Sequence, residues 1–119
     1  MIIDQYILDD LTVQAKASPH LRMNMDLRYS PADKPQRMLN AIEPGTVLSP
    51  IHQHRSSPET VVCIRGHFEE YLYGISSVRT AVVDMFPSGN VLVISIGWWH
   101  SIRSQESRTV LLECKDVEK

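Results

Sequence analysis

From Leu21 to Arg28 apolar and polar residues alternate without a break, Leu21, Met23, Met25 and Leu27 against Arg22, Asn24, Asp26 and Arg28. That is the two-residue period of a strand with one buried face. Ahead of it the period lengthens. Leu8, Leu11 and Ala15 fall on one side of a short helix, with Asp9 or Asp10 as its cap and its end before Ser18-Pro19. Behind it come further short runs rich in β-branched or aromatic residues: Arg37 to Ile42, Thr46 to Leu48, Glu59 to Arg65, Phe68 to Tyr73, Val78 to Met85, Val91 to Ile96, His100 to Ser104 and Arg108 to Lys115. Pro44-Gly45, Gly66, Gly74 with Ser76-Ser77, Pro87-Ser88-Gly89, Gly97 and the polar stretch Ser104 to Ser107 separate them. About nine short strands behind one short helix predict an all-β antiparallel sandwich or small barrel. With no repeat or linker, the pattern predicts one domain over 1–119, a helical extension at 1–20 and a barrel at 21–116.

Composition narrows the setting. At 43% hydrophobic and 22% charged residues the 119-residue chain reads as globular. A formal charge of -2 offers no basic footprint, so nucleic acid and anionic membranes are not expected partners, and small molecules are. The N-terminal MIIDQYILDD carries acids where a signal peptide needs a basic region, and no run approaches the roughly 18 apolar residues of a membrane span. A cytoplasmic location is the expectation. Cys63 and Cys114 sit in strand-like runs without a CxxC pair and read as buried free thiols.

The chemistry concentrates in IHQHRSSPETVVCIRG, Ile51 to Gly66. His52 and His54 leave the same face of an extended backbone and can reach one ion. Arg55-Ser56-Ser57-Pro58 has turn composition and returns Glu59 at the head of the next strand. Gly97-Trp98-Trp99-His100 delivers a further histidine after a tight turn, placed to close the site from across a barrel. Three neutral imidazoles and a carboxylate suit one divalent transition ion, zinc, iron, manganese, nickel or cobalt, with positions left open. Protons should compete with the ion as pH falls through the ordinary histidine range, about 6.5. An HxH pair alone is more often solvated histidine than metal site.

The spacing sharpens the reading. Gly45, six residues, His52, one residue, His54, four residues, Glu59, six residues and Gly66 resemble the first motif of the cupin superfamily with one extra residue after the first glycine. Gly89, five residues, Ser95, Ile96, Gly97, Trp98, Trp99 and His100 resemble the second, with Ser95 in place of proline and Ser104 in place of asparagine. Upstream, Arg22, Asn24, Gln36, Arg37, Leu39, Asn40, Ala41, Glu43, Pro44, Gly45 and Thr46 are similar to the N-terminal segments of WbuC-type cupin-fold metalloproteins. Asp26 replaces an asparagine there, and the tryptophan often found before the glutamate is missing. The resemblance implies a cupin double-stranded β-helix, or jelly-roll barrel, with metal held by the matched residues. It also implies a homodimer and a bacterial surface-polysaccharide context.

Arg22 and Arg37 are ordinary solvated residues by type. The resemblance raises the alternative that both project into a barrel mouth, beside Asn24, and recognise an anionic or sugar-like ligand. Trp98 and Trp99 either pack in the core or over the turn, or offer a stacking surface beside His100. His20 and His67 read as loop or hydrogen-bonded histidines. Proton-moving candidates outside the ligand set are His67, Tyr71, Tyr73, Asp26 and Glu70. Three uses remain for such a centre: a metal-dependent, isomerase- or epimerase-like enzyme acting on a sugar, sugar nucleotide or related oxygenated molecule; a non-catalytic binding or sensing protein; or an iron-dependent dioxygenase.

Overall fold

The computed structural model describes residues 1–46, 51–75 and 78–116. One helix, α1 (Gln5–Ala17), precedes nine strands: β1 (Arg22–Asp26), β2 (Pro35–Ile42), β3 (His52–Gln53), β4 (Glu59–Arg65), β5 (Phe68–Gly74), β6 (Ala81–Met85), β7 (Val91–Ile94), β8 (Trp99–Ser104) and β9 (Thr109–Asp116). They form a five-stranded sheet in the order β1-β2-β9-β4-β7 and a four-stranded sheet in the order β3-β8-β5-β6. The strand pairings are antiparallel, as a jelly-roll barrel requires. Among the described residues no helix is long and apolar enough to cross a membrane.

Most strands fall where alternation places them. Several details differ. β6 begins at Ala81 rather than Val78. Thr46 lies outside any strand; the rest of the expected Thr46 to Leu48 strand, and the Ser76-Ser77 turn, lie outside the described residues. The helix is capped by Asp4, whose side chain accepts from the Ile7 amide at 3.1 Å, and not by Asp9 or Asp10. Leu8 must be inside the helix to bury with Leu11 and Ala15, so the cap has to precede it.

Two apolar layers result. Val61, Cys63, Phe68, Leu72, Met85, Ile94 and Leu111 fill the space between the sheets, while Leu39, Ala41 and Val110 face outward and bury Leu8, Leu11 and Ala15. β2 and β9 are therefore apolar on both faces. Both thiols are free, Cys63 buried and Cys114 half-buried.

A bulge between Cys63 and Arg65 turns the Arg65 side chain toward the helix. Its guanidinium donates to Gln5 Oε1, Asp9 Oδ1, Thr12 Oγ1 and the Arg108 carbonyl at 2.8–2.9 Å. Asp9 is half exposed, so the ion pair adds little; the buried Thr12 hydroxyl and the carbonyl depend on the donors more. Arg65→Met keeps the apolar stem and removes them. It should cost about 2–3 kcal/mol and speed amide exchange across α1 ahead of the barrel. Uniform exchange in helix and barrel would show that apolar contact alone docks the helix.

Candidate metal centre

His52 on β3 pairs directly with His100 on β8, and their ring centroids are 4.1 Å apart. The Gly97 turn is tied to the histidine segment from both sides: its amide donates to the His54 carbonyl at 2.8 Å, and the Gln53 side chain donates to the Gly97 carbonyl at 2.8 Å. The three histidines thus lie at the β3 end of the four-stranded sheet, His52 on β3, His54 just past it and His100 on neighbouring β8. Contrary to the sequence expectation, His100 does not close the site from across the barrel; Glu59 does, from the head of β4 in the opposite sheet. Its turn is anchored by buried Ser57, whose Oγ accepts from the Asp116 amide at 2.9 Å.

Glu59 Oε2 lies 3.0 Å from His54 Nε2 and 3.1 Å from His100 Nε2. Even so, Glu59 Oε2 and His100 Nε2 are buried without a hydrogen-bond partner. Short separations without hydrogen-bond angles mean that these atoms aim at a common point rather than at one another. One ligand atom from each of His52, His54, Glu59 and His100 lies within 4.8 Å of the others. An ion with bonds of about 2.0–2.2 Å holds tetrahedral ligands about 3.3–3.6 Å apart, so the set could hold one once its widest separations contract. Glu59 and His100 are buried while one edge of His52 is exposed.

The electrostatics follow from crowding. Burial opposes ionisation of Glu59, but contacts from His100, His54 and Glu113 outweigh it and hold its pKa far below the usual carboxylate range. Burial likewise opposes the His100 imidazolium, and Glu59 with Glu70 overcomes it, raising that pKa to about 9. His52 is pushed down to about 4 by desolvation and by the neighbouring His100 charge. Beyond these four residues, Glu70 is buried with Oε2 unpartnered and Oε1 3.8 Å from His100 Nδ1. Burial raises Glu70 to about 7, and burial plus the Glu59 carboxylate raises Glu113 to about 8.

These groups face a cavity of about 140 Å3. Arg22 lines it and Asn24 lines a groove beside it. Arg37 is not brought there: it shares the helix-side face of β2 with Leu39 and Ala41, opposite Asn40 and Ile42, and lines a separate groove near Pro58. Trp98 packs against the inter-sheet core and does not line the cavity, as in the packing reading of the sequence. His67 has the plain role expected, 2.8 Å from Asp84 Oδ1 and stacked on Phe86. Tyr71 bonds Glu69, and Tyr73 lies 3.3 Å from Ser101 Oγ. Sequence reasoning missed Glu113, Lys115 and Asn40, which line the cavity; Asn40 donates to Glu113 at 2.9 Å, and Lys115 Nζ lies 3.4 Å from His54 Nε2. Parity in β9 groups Glu113 and Lys115 with Leu111, but since the strand is apolar on both faces it does not say that this group turns inward.

Comparison with solved structures places the fold among cupin folds. TT1209 from Thermus thermophilus superposes with a TM-score of 0.70 at 20% identity, covering 98% of this chain and 97% of that one. KdgF from Halomonas sp. gives 0.66 at 16% identity, covering 86% and 84%. An RmlC-like cupin protein from Desulfovibrio desulfuricans gives 0.61 at 21% identity, covering 80% and 81%. At these identities the likeness is one of fold. No curated protein matches the chain. The family described as "Domain of unknown function (DUF6016)" matches residues 3–85. With well over half its length so matched, this chain, a cupin by fold, belongs to the DUF6016 family.

Proposed function

We propose that His52, His54, Glu59 and His100 hold one divalent transition ion, and that the chain is a single-domain, cytoplasmic, homodimeric WbuC-type cupin using it on a small oxygenated molecule, a sugar or sugar derivative of surface-polysaccharide metabolism. The observation that carries the metal is the convergence of one ligand atom from each of these four residues within 4.8 Å, with Glu59 Oε2 and His100 Nε2 buried and making no well-angled hydrogen bond. When bound, such an ion supplies Lewis-acid polarisation of a ligand oxygen. Around it the chain's own groups divide the remaining work. Glu59 is ionised, while Glu70 and Glu113, held near neutrality by burial, can give or take a proton at the cavity wall near pH 7. Those two acids outside the ligand set favour an enzyme over a passive sensor. A cavity of about 140 Å3 is below the roughly 300–1,000 Å3 of typical ligand pockets, so a sugar nucleotide would enter only by its reacting end.

Calorimetry with a panel of sugars, sugar acids and sugar nucleotides, on metal-loaded and chelator-stripped protein, tests the reading. Binding is expected to the loaded form alone. A ligand held equally by stripped protein would remove the ion from the function.

A further inference from the structure

The metal cavity adjoins an open groove of about 330 Å3. Arg22, Asn40 and Glu113 line both spaces, and Ser18, His20 and Asn24 continue the groove outward. The groove near Pro58 shares only Lys115 with the cavity. Strand register explains the wider connection. Asn24 on β1 pairs with Asn40 on β2, Asn40 bonds Glu113 on β9, and Glu113 pairs with Val61 on β4, two residues from Glu59. A polar track thus crosses four adjacent strands of the five-stranded sheet and ends at the metal centre. One register step toward the core, the same face carries Ile42, Leu111 and Cys63.

From this track we propose that the site takes a polyhydroxylated carboxylate of about six carbons. Its carboxylate and neighbouring hydroxyl lie in the metal cavity and its hydroxylated tail lies along the groove. The inference rests on the metal-site reading above. Size is compatible with it: cavity and groove together reach the range of ordinary ligand pockets, which the cavity alone does not; the groove near Pro58 is as roomy but meets the cavity only at Lys115. Charge supports it as well. Arg22 at the junction and Lys115, with a divalent ion, add positive charge against the carboxyl groups of Glu59, Glu70 and Glu113 in the same cavity, and a guanidinium is suited to a carboxylate. Along the groove, amides, a hydroxyl and an imidazole supply donors and acceptors suited to sugar hydroxyls, with Met23 the one apolar side chain in the lining.

The test uses a chain-length pair, glycolate and D-gluconate, with neutral D-glucitol, titrated by calorimetry into zinc-loaded and chelator-stripped protein. Gluconate should bind zinc-loaded wild type about tenfold more tightly than glycolate, the worth of one or two added hydrogen bonds, and glucitol should bind worse than gluconate. Asn24→Leu and, separately, His20→Ala should bring gluconate to within about threefold of glycolate. Arg37→Ala, in the other groove, should leave the preference intact. A wild type that binds gluconate no tighter than glycolate, or a preference that survives both groove variants, would overturn the proposal even with zinc fully loaded. If instead zinc does not load, yet gluconate binds and the groove variants abolish that binding, the metal-site reading fails and the groove stands.

Discussion

His54→Ala and His100→Ala are expected to purify with little metal, while wild type and His20→Ala carry about one ion per chain. Loss of a group that merely orients a metal ligand costs about 10–100-fold in affinity, so removal of a ligand should exceed about 100-fold in a chelator competition. The pH dependence separates this centre from a set of ordinary histidines. Because the metal-free protein holds His100 protonated up to about 9, uptake at pH 7 must displace that proton. Affinity should therefore climb about tenfold per pH unit from near 7 toward 9, a window above the ordinary histidine range that the residue type alone suggests. His52, pushed down to about 4, adds no proton competition above pH 5. Elemental analysis of the four proteins, with proton release followed by an indicator dye in weak buffer, checks both statements. Equal metal in all four would place the ions elsewhere; uptake without proton release would show His100 to be neutral beforehand.

Gly66→Ala should be the most damaging single methyl in the barrel. Gly66 has a φ of +88°, and a Cβ there would overlap Thr109 Oγ1 and sit 2.7 Å from Thr109 Cα. Thr109 cannot retreat: it is fully buried, and its hydroxyl meets the His67 amide and the Glu106 carbonyl at 3.2 and 2.7 Å. Left-handed strain of about 1–2 kcal/mol and overpacking of about 1–3 kcal/mol give an expected loss of about 2–5 kcal/mol. Gly89→Ala is the control, with a φ of +116° but open space around the added carbon. It should lose only the strain. Urea unfolding of both variants gives the comparison, and equal losses would mean that β9 yields to the clash at little cost.

What could be read in the chain without coordinates was what depends on neighbours a few residues away. β4 runs from Glu59 to Arg65 as its composition indicates, because Pro58 and Gly66 bound it on either side. His52, His54, Glu59 and His100 stand out because short turns lie beside each and their residue types suit an ion. Alternation groups Arg22 with Asn24 on the polar face of β1, but only the resemblance suggested that this face meets the cavity.

Other features were set by contacts between distant segments. Met38, Leu39, Ala41 and Ile42 make β2 apolar on both faces, as Val110, Leu111 and Leu112 make β9. Parity in such a strand says which residues share a face but not which face turns inward. Docking of α1 on the outer side decided it, sending Arg37 away from the cavity and Asn40, Glu113 and Lys115 into it. Asp4, Asp9 and Asp10 are equally eligible caps by residue type; burial of Leu8 and the hold of Arg65 on Asp9 selected Asp4. The partition of the ligands, three histidines at the β3 end of one sheet and Glu59 from the other sheet, follows from β3 pairing with β8 and β4 with β9 and β7. Those pairings join residues about thirty to fifty-five positions apart, and no local period encodes them. They form because only that arrangement closes the inter-sheet core while satisfying the backbone of both sheets.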